Sequence, residues 1–171
     1  MPRIKDKIYA SHLDINDQIL KWKSKGKRIV FTNGCFDILH LGHVLYLENA
    51  AQLGDMLIVG LNSDDSVRRL KGPTRPINDI LNRSHVLAAL ASVDAVIIFE
   101  EDTPYDTIKT IMPDILVKGG DWKPDQIVGS DLVLEHGGQV LSLNFVDGYS
   151  TTQIEAKIKG TSFDLNNQKD E

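Results

Sequence analysis

The chain has 171 residues, of which 42% are hydrophobic, a formal net charge of −5 and one cysteine. That length suits a single domain with a proper core, and the acidic balance argues against nucleic-acid binding, because no basic excess exists to replace phosphate counterions. Cys35 cannot form an internal disulfide, no apolar run approaches the roughly 20 residues of a membrane span, and the N-terminus lacks the apolar core of a signal peptide, so a cytoplasmic protein is expected.

Residues 1–10 read as a flexible lead-in. From 11 to 24, Leu13, Ile15, Ile19, Leu20 and Trp22 stand among polar residues, and Gly26 follows. That pattern predicts a helix with a glycine stop. A first strand is expected over 28–33. Leu41, Val44, Leu45, Leu47, Ala50 and Ala51 then trace an apolar helix face that ends at Gly54. The continuous apolar run 56–61 suits a parallel strand covered on both sides. Residues 62–78 read as a polar, basic segment, shaped by Gly72-Pro73 and Arg75-Pro76 into a loop. A helix over 79–90, a strand over 93–99 and a helix opened by Thr103-Pro104 follow. Then come a short strand at 115–117, a helix over 124–135 and a strand over 138–143. Ser150-Thr151-Thr152 caps a last helix at 151–159, and the tail beyond Gly160 is polar. Strands and helices alternate throughout. The expected fold is therefore a single α/β, Rossmann-like, doubly wound domain over 11–160 with a five-stranded, mainly parallel sheet, followed by a polar tail at 161–171. In such folds ligands sit beyond the carboxyl ends of the strands.

One stretch stands out. Asn33-Gly34-Cys35-Phe36-Asp37 follows the first strand and leads into His40-Leu41-Gly42-His43 at a helix start. Histidines three apart share a helix face. Gly42 lacks a Cβ and admits a close neighbour. Two imidazoles delivered to a helix N-terminus make a site for an anion, and phosphate fits best. Zinc normally takes three or four ligands, and no further Cys or His cluster supplies them, so no metal ligands are expected on the chain. Gly34 is a turn glycine or one that lets backbone amides approach a nucleotide. Asp37 either fixes its loop or touches a ligand. Cys35 reads as a small packing residue.

Arg68, Arg69, Lys71 and Arg75 place four cations in eight residues. Such groups at a rim bind polyphosphate or sugar phosphate, with Lys71 the first candidate. Arg83 either snorkels over the surface or reaches back to phosphate. Lys118-Gly119-Gly120-Asp121-Trp122 follows a strand end and reads as a ligand wall, with Trp122 able to stack on a base or cover a sugar. Ser150-Thr151-Thr152 adds hydroxyls and free amides at a helix start, a second anion site.

Gly34-Cys35-Phe36-Asp37 through His40-Leu41-Gly42-His43 resembles the signature of the cytidylyltransferase-like nucleotidyltransferases. The wider set narrows the resemblance: Gly60-Leu61-Asn62-Ser63-Asp64, Val67-Arg68-Arg69-Leu70-Lys71-Gly72-Pro73, Arg75-Pro76-Ile77-Asn78, Val117-Lys118-Gly119-Gly120-Asp121 and Gly148-Tyr149-Ser150-Thr151-Thr152. Together these are similar to the D-glycero-β-D-manno-heptose 1-phosphate adenylyltransferases, over about residues 25–160. The resemblance implies ATP as donor, a sugar 1-phosphate as acceptor, pyrophosphate as leaving group, Mg²⁺ carried mainly on the triphosphate, and a homodimer. It also implies a stand-alone form without the sugar kinase domain to which many relatives are fused. It assigns His40, His43 and Lys71 to catalysis. Asn33, Gly34, Cys35, Phe36, Gly42, Lys118, Gly119, Ser150, Thr151 and Thr152 go to the nucleotide. Asp37, Asn62, Asp64, Arg68, Arg75, Arg83, Asp121 and Trp122 go to the second substrate. The arginine that many members carry after the Ser/Thr run is absent: Gln153-Ile154-Glu155-Ala156-Lys157 stands there. The alternatives are a cytidylyltransferase acting on glycerol 3-phosphate or another polyol phosphate, and a non-catalytic nucleotide-binding regulator on the same scaffold.

Overall fold

A computed structural model describes residues 3–120, 122–144 and 148–160. The expected tail at 161–171 and the candidate Asp121 lie outside the described residues.

Six parallel strands form one sheet: β1 (Ile8–Tyr9), β2 (Ile29–Gly34), β3 (Met56–Asn62), β4 (Ala95–Phe99), β5 (Ile115–Gly119) and β6 (Gln139–Leu143), in the order β1-β4-β3-β2-β5-β6. The helices are α1 (Asn16–Lys23), α2 (Leu41–Ala51), α3 (Asp64–Lys71), α4 (Ile80–Ala88), α5 (Tyr105–Ile111), α6 (Ser130–Glu135) and α7 (Thr151–Ile158). Winding proceeds outward from β2 through β3 to β4, then resumes at β5 on the other side of β2. The switch point therefore lies between β2 and β5, and it opens a crevice at their carboxyl ends.

Side chains along β2 alternate between two cores, as the period of a strand requires. Ile29 and Phe31 join Ile15, Ile19, Ile58, Ile97, Ile108 and Ile111 on one face of the sheet. Val30 joins Tyr46, Leu47, Leu57, Val59, Leu61 and Leu87 on the other. Both faces are covered, so the strands carry near-continuous apolar runs.

The amino ends of the strands are aligned by a repeated device. Asp55, Asp94 and Asp114 each stand immediately before a strand and accept a hydrogen bond from the backbone N–H that opens its neighbour: Arg28 at 2.8 Å, Leu57 at 2.8 Å and Ile29 at 2.7 Å. A carboxylate in that place satisfies a strand-end donor and fixes the register.

The sequence reading differs from this fold in three places. The sheet has six strands, not five, because the lead-in contributes β1: Ile8 pairs with Val96 and Tyr9 with Ile97. The basic segment is not all loop. Ser63 caps α3 by accepting from the Ser66 N–H, Asp64 and Asp65 occupy its first turn, and Arg68, Arg69 and Lys71 its last. That order of charge complements the helix dipole and stabilises a helix despite the Gly-Pro that ends it. The stretch 124–135 is divided: a 3₁₀ turn at Pro124–Gln126 and α6 flank Gly129, whose φ of 81° breaks any continuous helix. Among the described residues, no helix is long and apolar enough to cross a membrane.

Candidate active site

β2 ends at Gly34, and the chain turns sharply through Phe36, which adopts φ 44°. A side chain on Gly34 would lie 2.9 Å from the Phe36 ring, so glycine lets that ring fold back over the strand end. The Phe36 ring then meets the His43 imidazole edge-on, with centroids 5.2 Å apart. His40 is the N-cap residue of α2 and His43 sits in its first turn. Their rings are stacked, with centroids 3.8 Å apart and planes 22° from parallel. A Cβ on Gly42 would come within 3.1 Å of His40 Nδ1 and 3.3 Å of Tyr149 Cβ. Gly42 thus allows Tyr149, the residue before the α7 cap, to close on the histidine corner. The two expected anion sites are neighbours.

Electrostatics at this corner follow from burial and from cations. Burial, the neighbouring His40 and the Lys71 ammonium together push the His43 pKa down to about 4, against a weaker upward pull from the Ile38 carbonyl. His43 is therefore neutral at pH 7. Burial pushes the Cys35 thiol up, while Lys71, Arg83 and Lys118 pull it the other way. Burial also lowers the Lys118 ammonium, partly offset by Cys35. Lys71 at the end of α3 and Lys118 near the end of β5 thus both lie close enough to the turn after β2 for their charges to be felt there. Asn33 is the penultimate residue of β2 and Gly119 the last of β5, on either side of the switch point.

Ser150 caps α7 by accepting from the Gln153 N–H at 3.2 Å, and Thr151 and Thr152 open the helix. The N-terminal amides of α7 and the hydroxyls beside them face anions favourably.

Several residues expected to touch the second substrate also make bonds within the chain. Asp37 is 6% exposed, and its carboxylate accepts from Arg75 at 2.7 Å, the Ile77 N–H at 2.9 Å and the Asn78 N–H at 2.8 Å. Burial pushes this carboxyl up, but the backbone bonds from Asn78 and Ile77 and the Arg75 guanidinium outweigh it and hold the pKa below 3.8. Of its two sequence readings, loop fixation is the one its contacts express. Arg75 also pairs with Glu155 of α7, so both carboxylates share one guanidinium. Arg83 does not snorkel over the surface; it reaches back to the turn after β2. Its side chain is fully buried, and it donates to the Cys35 carbonyl at 2.7 Å, the Asn78 carbonyl at 3.0 Å and Asp64 at 2.6 Å. Asn62 is 3% exposed and donates to Ser66 at 3.0 Å. Arg68 is exposed and pairs with Asp65 on its own helix. Trp122 is 42% exposed, and its N–H donates to Ser142 at 3.2 Å.

Sequence reasoning passed over Tyr149 and Glu155. Tyr149 lay inside a quoted motif but carried no signal of its own. Glu155 had one: it occupies the stretch where an arginine was expected, and it draws in Arg75 from another loop.

The chain also has relatives among known proteins. The chain is 58% identical over 149 residues to the bifunctional protein HldE of Haemophilus influenzae (strain PittGG), covering 87% of this chain and 31% of that protein. It is 57% identical over 136 residues to the bifunctional protein HldE of Syntrophotalea carbinolica, covering 80% and 28% respectively. The HldE of Haemophilus ducreyi is 62% identical over 137 residues, covering 80% and 29%. The chain thus spans less than a third of the length of these curated relatives. Among solved structures, the lipopolysaccharide core biosynthesis protein from Thermoplasma volcanium GSS1 superposes with a TM-score of 0.58 at 30% identity, covering 73% of this chain and all of that one. The sequence model of the cytidylyltransferase-like family matches residues 31–157, from the middle of β2 to the last turn of α7, and the chain belongs to that family.

Proposed function

We propose that the chain is a nucleotidyltransferase that moves the adenylyl group of ATP onto a sugar 1-phosphate, D-glycero-D-manno-heptose 1-phosphate, giving ADP-heptose and pyrophosphate. The observation that carries the reading is the stacked His40–His43 pair, set at the start of α2 and closed on by the residue before the α7 cap. Between two helix N-termini, with Lys71 and Lys118 close by, a polyphosphate finds donors from several sides.

An acceptor phosphate oxygen attacks the α-phosphorus in line. The new O–P bond forms as the bond from the α-phosphorus to the bridging oxygen breaks, and that oxygen leaves on pyrophosphate. A phosphate monoester is already a nucleophile at neutral pH, so the chain needs no strong general base. Its work is positioning and charge stabilisation. His40 and neutral His43 offer N–H donors to the α/β region as charge grows there. Lys71 and Lys118 hold phosphate oxygens, and the α7 start holds the far end of the triphosphate. Among the described residues, no group of three or more His, Cys, Asp and Glu side chains is placed to hold a metal ion. The donors at the corner are imidazoles, ammoniums and hydroxyls, which suit phosphate. Mg²⁺ carried on the nucleotide would supply neutralisation of the triphosphate charge, while these side chains bind and orient the phosphates. A homodimer and a cytoplasmic setting complete the proposal.

The test is pyrophosphate release by the full chain with ATP or CTP against heptose 1-phosphate and glycerol 3-phosphate. Turnover with ATP and heptose 1-phosphate is expected. Preference for CTP and the polyol phosphate selects the alternative cytidylyltransferase, and nucleotide binding without turnover on any acceptor selects a regulator.

A further inference from the structure

Arg83 is the largest fully buried side chain in the protein among the described residues. It is also charged, and a buried charge persists only where partners compensate it. Three partners from three segments do so: the Cys35 carbonyl in the turn after β2, the Asn78 carbonyl before α4, and Asp64 at the first position of α3. The guanidinium lies behind the turn that precedes the histidine corner.

The Cys35–Phe36 peptide is trans and planar, so its N–H points opposite to its C=O. With the carbonyl held by Arg83 from the interior, the Phe36 N–H is turned the other way. Phe36 is 8% exposed, yet its N–H donates to no acceptor among the described residues. An unmatched donor in so enclosed a residue calls for a partner from outside the chain. The positive φ of Phe36 adds that its conformation is imposed by its surroundings. A charge-assisted bond to the carbonyl also polarises the peptide and makes its N–H a stronger donor to an anion.

We infer that Arg83 is a positioning residue: anchored by Asp64, it clamps the Cys35 carbonyl so that the Phe36 N–H faces the phosphate chain. This deepens the nucleotidyltransferase reading and rests on it for the identity of the anion. Through Asp64 the same clamp ties the turn to α3, whose far end carries Lys71, so one buried side chain sets the backbone donor and the lysine relative to each other.

Arg83→Lys keeps the charge but lacks the fork needed to hold a carbonyl and a carboxylate together. In the folded fraction of that variant, kcat/KM for pyrophosphate release is expected to fall about 10- to 100-fold. Val133→Ala, in the core under α6, serves as a control matched for thermal unfolding, with kcat expected to hold. A second reading is independent of turnover. The Phe36 amide resonance should move strongly when ATP is added without metal, and this response should be weakened in Arg83→Lys. Should Arg83→Lys fail to fold, Asp64→Asn removes the anchor and is read the same way. A Phe36 amide indifferent to ATP in the unaltered chain overturns the inference, as does a folded Arg83→Lys, or Asp64→Asn in its place, with unchanged amide response and rate constants. Absence of turnover in the unaltered chain, with the amide response intact, overturns the reaction and leaves the clamp standing.

Discussion

The imidazoles of His40 and His43 lie face to face at 3.8 Å, with the Phe36 ring set edge-on against the outer partner. Two rings that close disfavour charge on both. His43 is therefore built to donate a hydrogen bond as a neutral group, and to accept charge only when an anion arrives.

A direct consequence is visible by NMR. The His43 ring should titrate with a midpoint near 4, well below the ordinary 6.5. Adding ATP should raise that midpoint, because an anion favours imidazolium. A His43 midpoint at 6.5 without nucleotide would show that the corner is open to water.

The same depression has a stability consequence. His43 binds a proton more readily in the unfolded chain, at 6.5, than in the folded one, at about 4. Its contribution is therefore fully present above 6.5, and is lost as pH falls from there toward 4. Asp37, held below 3.8 by its partners, adds a further loss at still lower pH. Denaturant unfolding at pH 7 and pH 5 should show the first loss, and His43→Gln should flatten that part of the profile.

His43→Ala is expected to lower kcat roughly 10²–10³-fold with the fold intact, the scale seen when one donor to developing charge is removed. Near-normal turnover by the folded variant would remove His43 from the mechanism.

Thr151→Val should raise the KM for ATP while leaving the KM for the sugar phosphate alone. Ser150 remains as the α7 cap in this variant, so helix stability is not the variable. An unchanged KM for ATP would reduce the Ser-Thr-Thr run to capping.

Asp37→Ala tests the loop clamp. It strips the acceptor from Arg75 and from the Ile77 and Asn78 N–H groups. Leaving such groups buried and unmatched costs on the order of 3–5 kcal/mol. Chemical denaturation measures it, and a loss below about 1 kcal/mol would mean that water or Glu155 replaces the carboxylate at once.

Much of this was legible in the sequence, and the reasons for the exceptions are physical. The runs that became β2 to β6 are covered on both faces, so they announce themselves as apolar blocks. β1 has only two residues and no such run. α3 was hidden because Gly72-Pro73 and Arg75-Pro76 dominate the local signal, although Ser63 followed by two aspartates is a helix start. The corner at 33–43 was legible because its spacing is chemical as well as structural. The Arg83–Asp64 pair was not legible for the opposite reason: charged side chains near a basic loop suggest ligand contact, and nothing local to the chain says that they find each other 19 positions apart. The three strand-opening aspartates carried a signal that went unused, an acid directly ahead of the blocks that form β3, β4 and β5.

Those aspartates have a wider consequence. They lock strand alignment at one rim of the sheet, while the His40–His43 corner follows the carboxyl end of β2 at the opposite rim. Tolerance to change is thereby partitioned: the loops that choose a nucleotide or an acceptor can be rebuilt while the frame beneath them keeps its order. A scaffold wired in this way is a natural host for exchanging one phosphorylated acceptor for another.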